Sequence, residues 1–313
     1  MSAIFYSPDL VEEAVLLAER TLPASGARTF RRERDRLYDI PDADRREADF
    51  RALHLRWFAR LGLHQVIEQT LAAASRAWIL DHVTGCRVSR AITERDEGAD
   101  LVDPSLAIVR SGAIKPSLVL RLRPAALLEP EALRMWLAHE LTHVTDMLDP
   151  AFAYQRTLPP SDDGPSGDNI LRDRYRVLWD TTIDGRLARS GMADPRAREV
   201  RRRAFAATFA MLGGEGPRLF DDWFDRIEPT HPALVAFARE PNGHGSPNPA
   251  DSGRCPLCRF PVASLDTHAE RLSAAALAIL RADFPAWCPE QGLCVQCLDL
   301  YAARHDETAE VGR

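Results

Sequence analysis

No run of apolar residues in this chain is long enough to span a bilayer, so a membrane anchor is not expected. The first twenty residues, MSAIFYSPDLVEEAVLLAER, carry no basic leader, and Asp9, Glu12 and Glu13 interrupt their apolar positions. The expectation is therefore a cytoplasmic protein rather than a secreted one. Net basic charge is missing too: a formal charge of -6 and a pI near 5.9 give no general field for holding nucleic acid regardless of sequence. An arginine-rich run, Arg28 to Arg36, is interleaved with acids and reads as a solvated helix face. Disorder is not the default either, because 45% hydrophobic and 27% charged residues are the balance of a chain that buries a core. At 313 residues it exceeds what one core usually fills, which implies a main domain with a smaller module attached. No internal repeat is present.

What the chain does contain changes texture along its length. Helical spacing of apolar residues runs from Ser7 to about Ala74, punctuated by Pro23 and Pro41. Between residues 86 and 123 the segments CRVSRAI, LAIVRS and SLVLRLR read as short strands of a small sheet. A long helix is expected from about Pro130 to Asp149, and another over ILRDRYRVLWDTTIDGRLARSG, with Gly191 placed to end it. Further helix covers 196–212, 221–226 and 232–239. Residues 241–253, rich in Pro, Gly, Asn and Ser, read as a linker. The expected organisation is α+β: a helix-rich domain over 1–240, with helices in 1–80 and the sheet and two metal helices in 86–191, followed by a small module over 254–313.

The first constellation lies in MWLAHELTHVTDMLDP, Met135 to Pro150. On an α-helix, positions i and i+4 share a face, so His139 and His143 can direct both imidazoles at one metal ion. Glu140 stands about 100° round the helix, within reach of a water in an open coordination position. Neutral imidazoles bind zinc without cancelling its charge, the ion acidifies its water, and the glutamate takes the proton. Met135, Trp136 and Leu137 supply packing for the same helix. Ions of iron, manganese or cobalt also suit two histidines and a carboxylate.

A third ligand is needed, and two places offer one. Asp149 stands where proteases of the extended H-E-x-x-H-x-x-G-x-x-H/D type carry theirs, but the glycine that turns such chains is replaced by Asp146. The other place is VLWDTTIDGRL, where Asp180 and Asp184 share a helix face with Val177, Ile183 and Leu187. Two acids turned towards a core need cations or donors; a metal with its histidines is one such partner, and Arg172 or Arg176 is the alternative.

HELTH followed by an acid pair on a later helix resembles the thermolysin-type gluzincins, a zincin metallopeptidase family, over about Ser117 to Gly191. The resemblance implies a zinc peptidase in which Asp180 falls at the ligand position and Asp184 supports a ligand histidine, with the inverted assignment open. It departs from that family in having Asp for Glu and a longer interval between the two helices. His231, Tyr154 and Tyr175 are candidate oxyanion donors, and SLVLRLR is a candidate edge for an extended peptide substrate.

The second constellation is CPLC at Cys255 and Cys258 with CVQC at Cys294 and Cys297. Two such pairs complete a closed tetrahedral zinc site, which leaves no position for substrate and serves structure. A tail of about sixty residues is too small to be secure on a hydrophobic core alone, and metal binding is expected to supply much of its folding free energy. Cys288 and His268 are poorer ligands by spacing, and Cys86 is expected in the core. The segment resembles a zinc ribbon or treble clef, which implies docking to protein or nucleic acid. A zincin domain followed by a zinc ribbon also resembles the SprT-like proteases in architecture, although the next histidine after His143 is His231. The expectation is thus a peptidase with one catalytic and one structural zinc, acting on peptide or protein substrates. The competing reading is an inactive zincin-like protein whose metals organise an interaction surface.

Overall fold

Proline and glycine set the boundaries of the N-terminal helices. The computed structural model describes residues 4–102, 115–161, 164–241, 253–262, 265–267 and 272–310. Pro8 opens α1 (Pro8–Glu19) where its missing N–H costs nothing, and Leu10, Val11, Ala14, Val15 and Ala18 form its buried face. α2 (Ala24–Asp35) buries only Phe30, so the Arg28–Arg36 run is indeed a solvated face, with Arg31 paired to Glu19 at 2.7 Å. α3 (Ala43–Arg60) is capped by the Asp42 carboxylate, which accepts the Arg45 N–H. The apolar periodicity continues beyond it, but the helix does not. Gly62 adopts φ +68, a left-handed turn that glycine enters without a Cβ penalty, and α4 (Gln65–Ala72) and α5 (Ala77–His82) follow as separate pieces.

The sheet has the order β1-β2-β4-β3. β1 (Ile4–Tyr6) and β2 (Cys86–Arg90) pair in parallel, as do β2 and β4 (Ser117–Leu122), while β3 (Gly98–Val102) runs antiparallel to β4. Leu118, Leu120 and Leu122 alternate into the core, and Pro124 follows the end of that strand. SLVLRLR therefore cannot offer a substrate edge, because β4 is paired on both sides. The outer strands among the described residues are β1 and β3, and the sequence conceals the second: Gly, Ala and Asp depress strand propensity in GADLV. LAIVRS lies outside the described residues.

α6 (Pro130–Leu148) begins with Pro130 as its first helical residue and Glu131 in its first turn. Leu133, Leu137, Leu141 and Val144 recur at four- and three-residue steps and join the core formed by the sheet and the N-terminal helices. α7 (Gly164–Arg189) starts at Gly164 rather than Ile170, inside a stretch whose Gly, Pro and Ser read as loop. It ends as its composition implies: Gly191 takes φ +73, and the Met192 N–H reaches back to the Leu187 carbonyl at 2.9 Å.

Beyond it, α8 (Ala197–Thr208), α9 (Gly216–Phe224) and α10 (His231–Arg239) bury an aromatic cluster of Phe205, Phe209, Phe220, Trp223 and Phe237. The C-terminal segment contains the hairpin β5 (Gly253–Arg254) and β6 (Pro261–Val262), then α11 (Ala274–Asp283) and α12 (Val295–Glu310). The architecture is α+β, rich in helix with a small four-stranded sheet. Contacts group the chain into Met1–Gln155 with Ile183–Ala197, and Arg156–Thr182 with Arg198–Arg313. The four-cysteine segment and α8–α10 fall in the second of these units, and residues 242–252 of the expected linker lie outside the described residues. Among the described residues no helix is long and apolar enough to cross a membrane.

One feature of the N-terminal core is sensitive to pH. His54 is buried near Phe30 and Phe50, and burial pushes its pKa below the ordinary value, with Glu12 opposing and Arg34 assisting the shift. The unfolded chain binds this proton more readily than the folded one, so stability falls as pH drops through about 6.5 and keeps falling until the lower folded pKa is passed. Denaturant midpoints should decline between pH 7.5 and pH 5 in the parent, and less steeply in His54→Phe. Equal slopes in the two proteins would contradict the assignment.

Candidate metal centres

The core-facing stripe of α6 decides where its polar residues go. With Leu137, Leu141 and Val144 turned inward, His139 and His143 emerge on a partly buried flank, their rings 5.0 Å apart and 72° from parallel. His139 donates from Nδ1 to Asp184 Oδ1 at 2.7 Å, and both side chains are mostly enclosed. That bond fixes the tautomer and makes Nε2 the nitrogen whose lone pair can face a cation. Asp180 precedes Asp184 by one turn of the unbroken helix α7. One donor atom from each of His139, His143 and Asp180 falls within 4.8 Å of the others. Two imidazoles and one carboxylate are a donor set that suits zinc with a fourth position open.

Each acid of the region has an identifiable partner. Asp180 Oδ2 accepts from Arg201 Nη1 at 3.0 Å, so the guanidinium on this carboxylate comes from α8 rather than from Arg172 or Arg176. Asp146, at the position where a turning chain would carry glycine, is buried and held by both terminal nitrogens of Arg186 at 2.7 and 2.6 Å. α6 accordingly runs straight on past His143 to Leu148, and Asp149 is left exposed at its end, where its carboxylate accepts the Ala151 N–H. Asp149 does not join the histidines.

Glu140 follows His139 towards the sheet. Its Oε2 accepts the Ala99 N–H of β3 at 2.9 Å, and no basic side chain pairs with it among the described residues. The neighbouring Leu101 N–H is taken by Asp100 Oδ1 at 2.8 Å. These two amide groups donate to carboxylates and not to β4, which puts the outer edge of β3 beside the glutamate. Of the candidate oxyanion donors, Tyr175 and His231 are hydrogen-bonded to each other at 2.7 Å in a buried position, and burial lowers the pKa of His231. They form a packed pair; Tyr154 is half-buried in the loop after α6.

Asp184 gives a direct test of this geometry. Asp184→Asn keeps the shape but lets its amide present the wrong group to His139 Nδ1, so zinc affinity at the histidines should fall about 10- to 100-fold. Competition with a chromophoric chelator measures it, and an affinity equal to the parent's would remove Asp184 from the site.

The four cysteines converge as well. Cys255, Cys258, Cys294 and Cys297 are all buried, with one sulfur from each inside the same 4.8 Å limit. Cys258 Sγ and Cys294 Sγ are 3.7 Å apart, far beyond a disulfide bond of about 2.05 Å and close to the edge of a tetrahedron with metal–sulfur bonds of about 2.3 Å. Backbone amides add to this: the Cys294 N–H points at Cys255 Sγ and the Cys297 N–H at Cys294 Sγ. Hydrogen bonding from Cys258, then from Cys294 and Cys297, pulls the Cys255 thiol down, while contact with the other sulfurs pushes Cys297 up. So many sulfurs cannot ionise together without a cation among them, and the cluster suits a metal ion. Cys288 is exposed and stays outside the group, Cys86 is a core residue whose thiol burial pushes up to about 12, and His268 lies outside the described residues.

No family model, curated protein or solved structure matches this chain. The two centres therefore stand on their own side-chain chemistry. Sequence reasoning missed Arg201, the Asp146–Arg186 pair and the β3 edge. Of these, only Asp146 carried a signal: seven residues after His139 and three after His143, it falls on their face of α6.

Proposed function

We propose that this chain is a zinc-dependent peptidase in which His139, His143 and Asp180 hold the catalytic ion and Glu140 is the general base. The observation that carries this reading is the convergence of those three donor atoms with Asp184 fixed behind His139. A zinc ion held there would polarise a carbonyl and acidify a water.

Glu140 then accepts the proton of the attacking water and returns it to the leaving amine. The Ala99 N–H holds one of its oxygens and keeps the carboxylate oriented, while the other is left for the proton. Asp184 keeps His139 in the tautomer that binds, and it stabilises the positive charge that the imidazole gains. Arg201 donates to one oxygen of Asp180 and orients the carboxylate, which would bind the ion through a single atom. The outer edge of β3 is where an extended peptide would lie, beside Glu140. The four cysteines hold a second, structural zinc.

The test is cleavage of an unfolded protein such as casein by the zinc-loaded chain, inhibited by a chelator and restored by zinc. A loaded protein that cleaves neither casein nor a mixed peptide library would favour the alternative of an inactive scaffold.

A further inference from the structure

Arg174 is the most enclosed cation among the described residues. It is 2% exposed, and its Nε and Nη1 have no hydrogen-bond partner. It stands on α7 one turn after Ile170, which packs against the core built from Cys255, Cys258, Leu280 and Leu293. Its guanidinium lies over the Phe260 ring at 4.2 Å, and Nη2 meets the Met211 sulfur at 3.8 Å. Neither neighbour is an anion. A guanidinium stays charged at neutral pH, and an unpaired buried charge is costly, so the site must supply negative charge from somewhere.

The Phe260 ring under the guanidinium belongs to the cysteine hairpin, where the Phe260 carbonyl accepts the Cys255 N–H at 3.0 Å; burial lowers the Arg174 pKa, and the charges of Cys258 and Cys294 oppose that shift. As neutral thiols they would leave the guanidinium uncompensated. Four thiolates around one divalent cation form a dianion; a single buried arginine beside it offsets one of its two charges and gains the counter-charge it lacks.

We propose that Arg174 is the built-in counter-ion of a four-thiolate metal centre, so that α7 grips the C-terminal module most firmly when that centre is loaded. This rests on the reading that the four cysteines hold a metal. The same helix carries Asp180 and Asp184, which makes Arg174 the anchor of the C-terminal module on the helix that supplies the carboxylates.

The test uses the full-length chain produced with cobalt(II) in place of zinc. Thiolate-to-cobalt charge-transfer absorption reports the cysteine centre alone, because the His139 site has no sulfur. Chelator titration should bleach this band in Arg174→Met at a concentration about tenfold or more below that needed for the parent. Arg174→Lys, which keeps the charge and loses the planar stack, should stay within about threefold of the parent. A band in Arg174→Met that resists chelator as the parent does, or equal losses in the two variants, would overturn the inference by showing that shape and not charge matters. A parent protein without the band would overturn the metal reading itself, and the inference with it.

Discussion

Glu140→Gln should keep its zinc and lose peptide hydrolysis by about a hundred- to ten-thousand-fold. Glutamine has the volume of glutamate and retains a carbonyl oxygen for the Ala99 N–H, so the local fold has no reason to change. It cannot take a proton from water. The loss should therefore appear in turnover rather than in metal content, which separates it from Asp184→Asn, where affinity for zinc falls first. Casein cleavage and zinc analysis on the same preparation make the distinction. A variant that still cleaves at the parental rate with zinc bound would remove Glu140 from the chemistry, and one that loses zinc would make the residue a ligand or a structural support.

The largest effect on stability is expected from Cys258→Ser. A hydroxyl is a poor replacement for a thiolate, and three remaining sulfurs leave the tetrahedron open. Structural zinc contributes about 10–16 kcal/mol of apparent binding free energy in small modules, and this is folding free energy where no site exists in the unfolded chain. The apolar core around the cysteines, with Leu272, Leu280, Trp287, Leu293 and Tyr301, is small and includes the ligands themselves. Cys258→Ser should lose one zinc equivalent of two, and trypsin should cut within α11 and α12 under conditions that spare α1–α6. Parental protease resistance together with an unchanged zinc count would refute a structural metal here.

Much of this architecture can be read from local pattern, and the rest fails for physical reasons. HELTH and the two C-x2-C pairs are short-range signals: helix period and knuckle spacing bring their atoms together with little help from the rest of the fold. Gly191 ends α7 by the same kind of local rule. Asp180 and Asp184 are different, because their spacing says only that they share a face, and their use depends on what that face meets; the resemblance to gluzincins supplied roles that spacing alone left open. β3 is invisible in GADLV, where pairing with β4 overrides weak propensity. α7 begins in GPSGDN, a sequence that reads as loop until tertiary contacts claim it. Arg201 on Asp180, Arg186 on Asp146 and Arg174 beside the cysteines are long-range pairings that no periodicity announces.

X-ray absorption at the zinc edge, with anomalous diffraction from crystals of the zinc-loaded chain, tests the account most directly. The prediction is two metal peaks: one within about 2.0–2.2 Å of His139, His143 and Asp180 with a solvent ligand completing it, the other about 2.3 Å from four cysteine sulfurs. A single peak at the cysteines, with the two histidines and Asp180 bound to no ion in a fully loaded sample, would contradict the peptidase proposal while leaving the C-terminal centre intact.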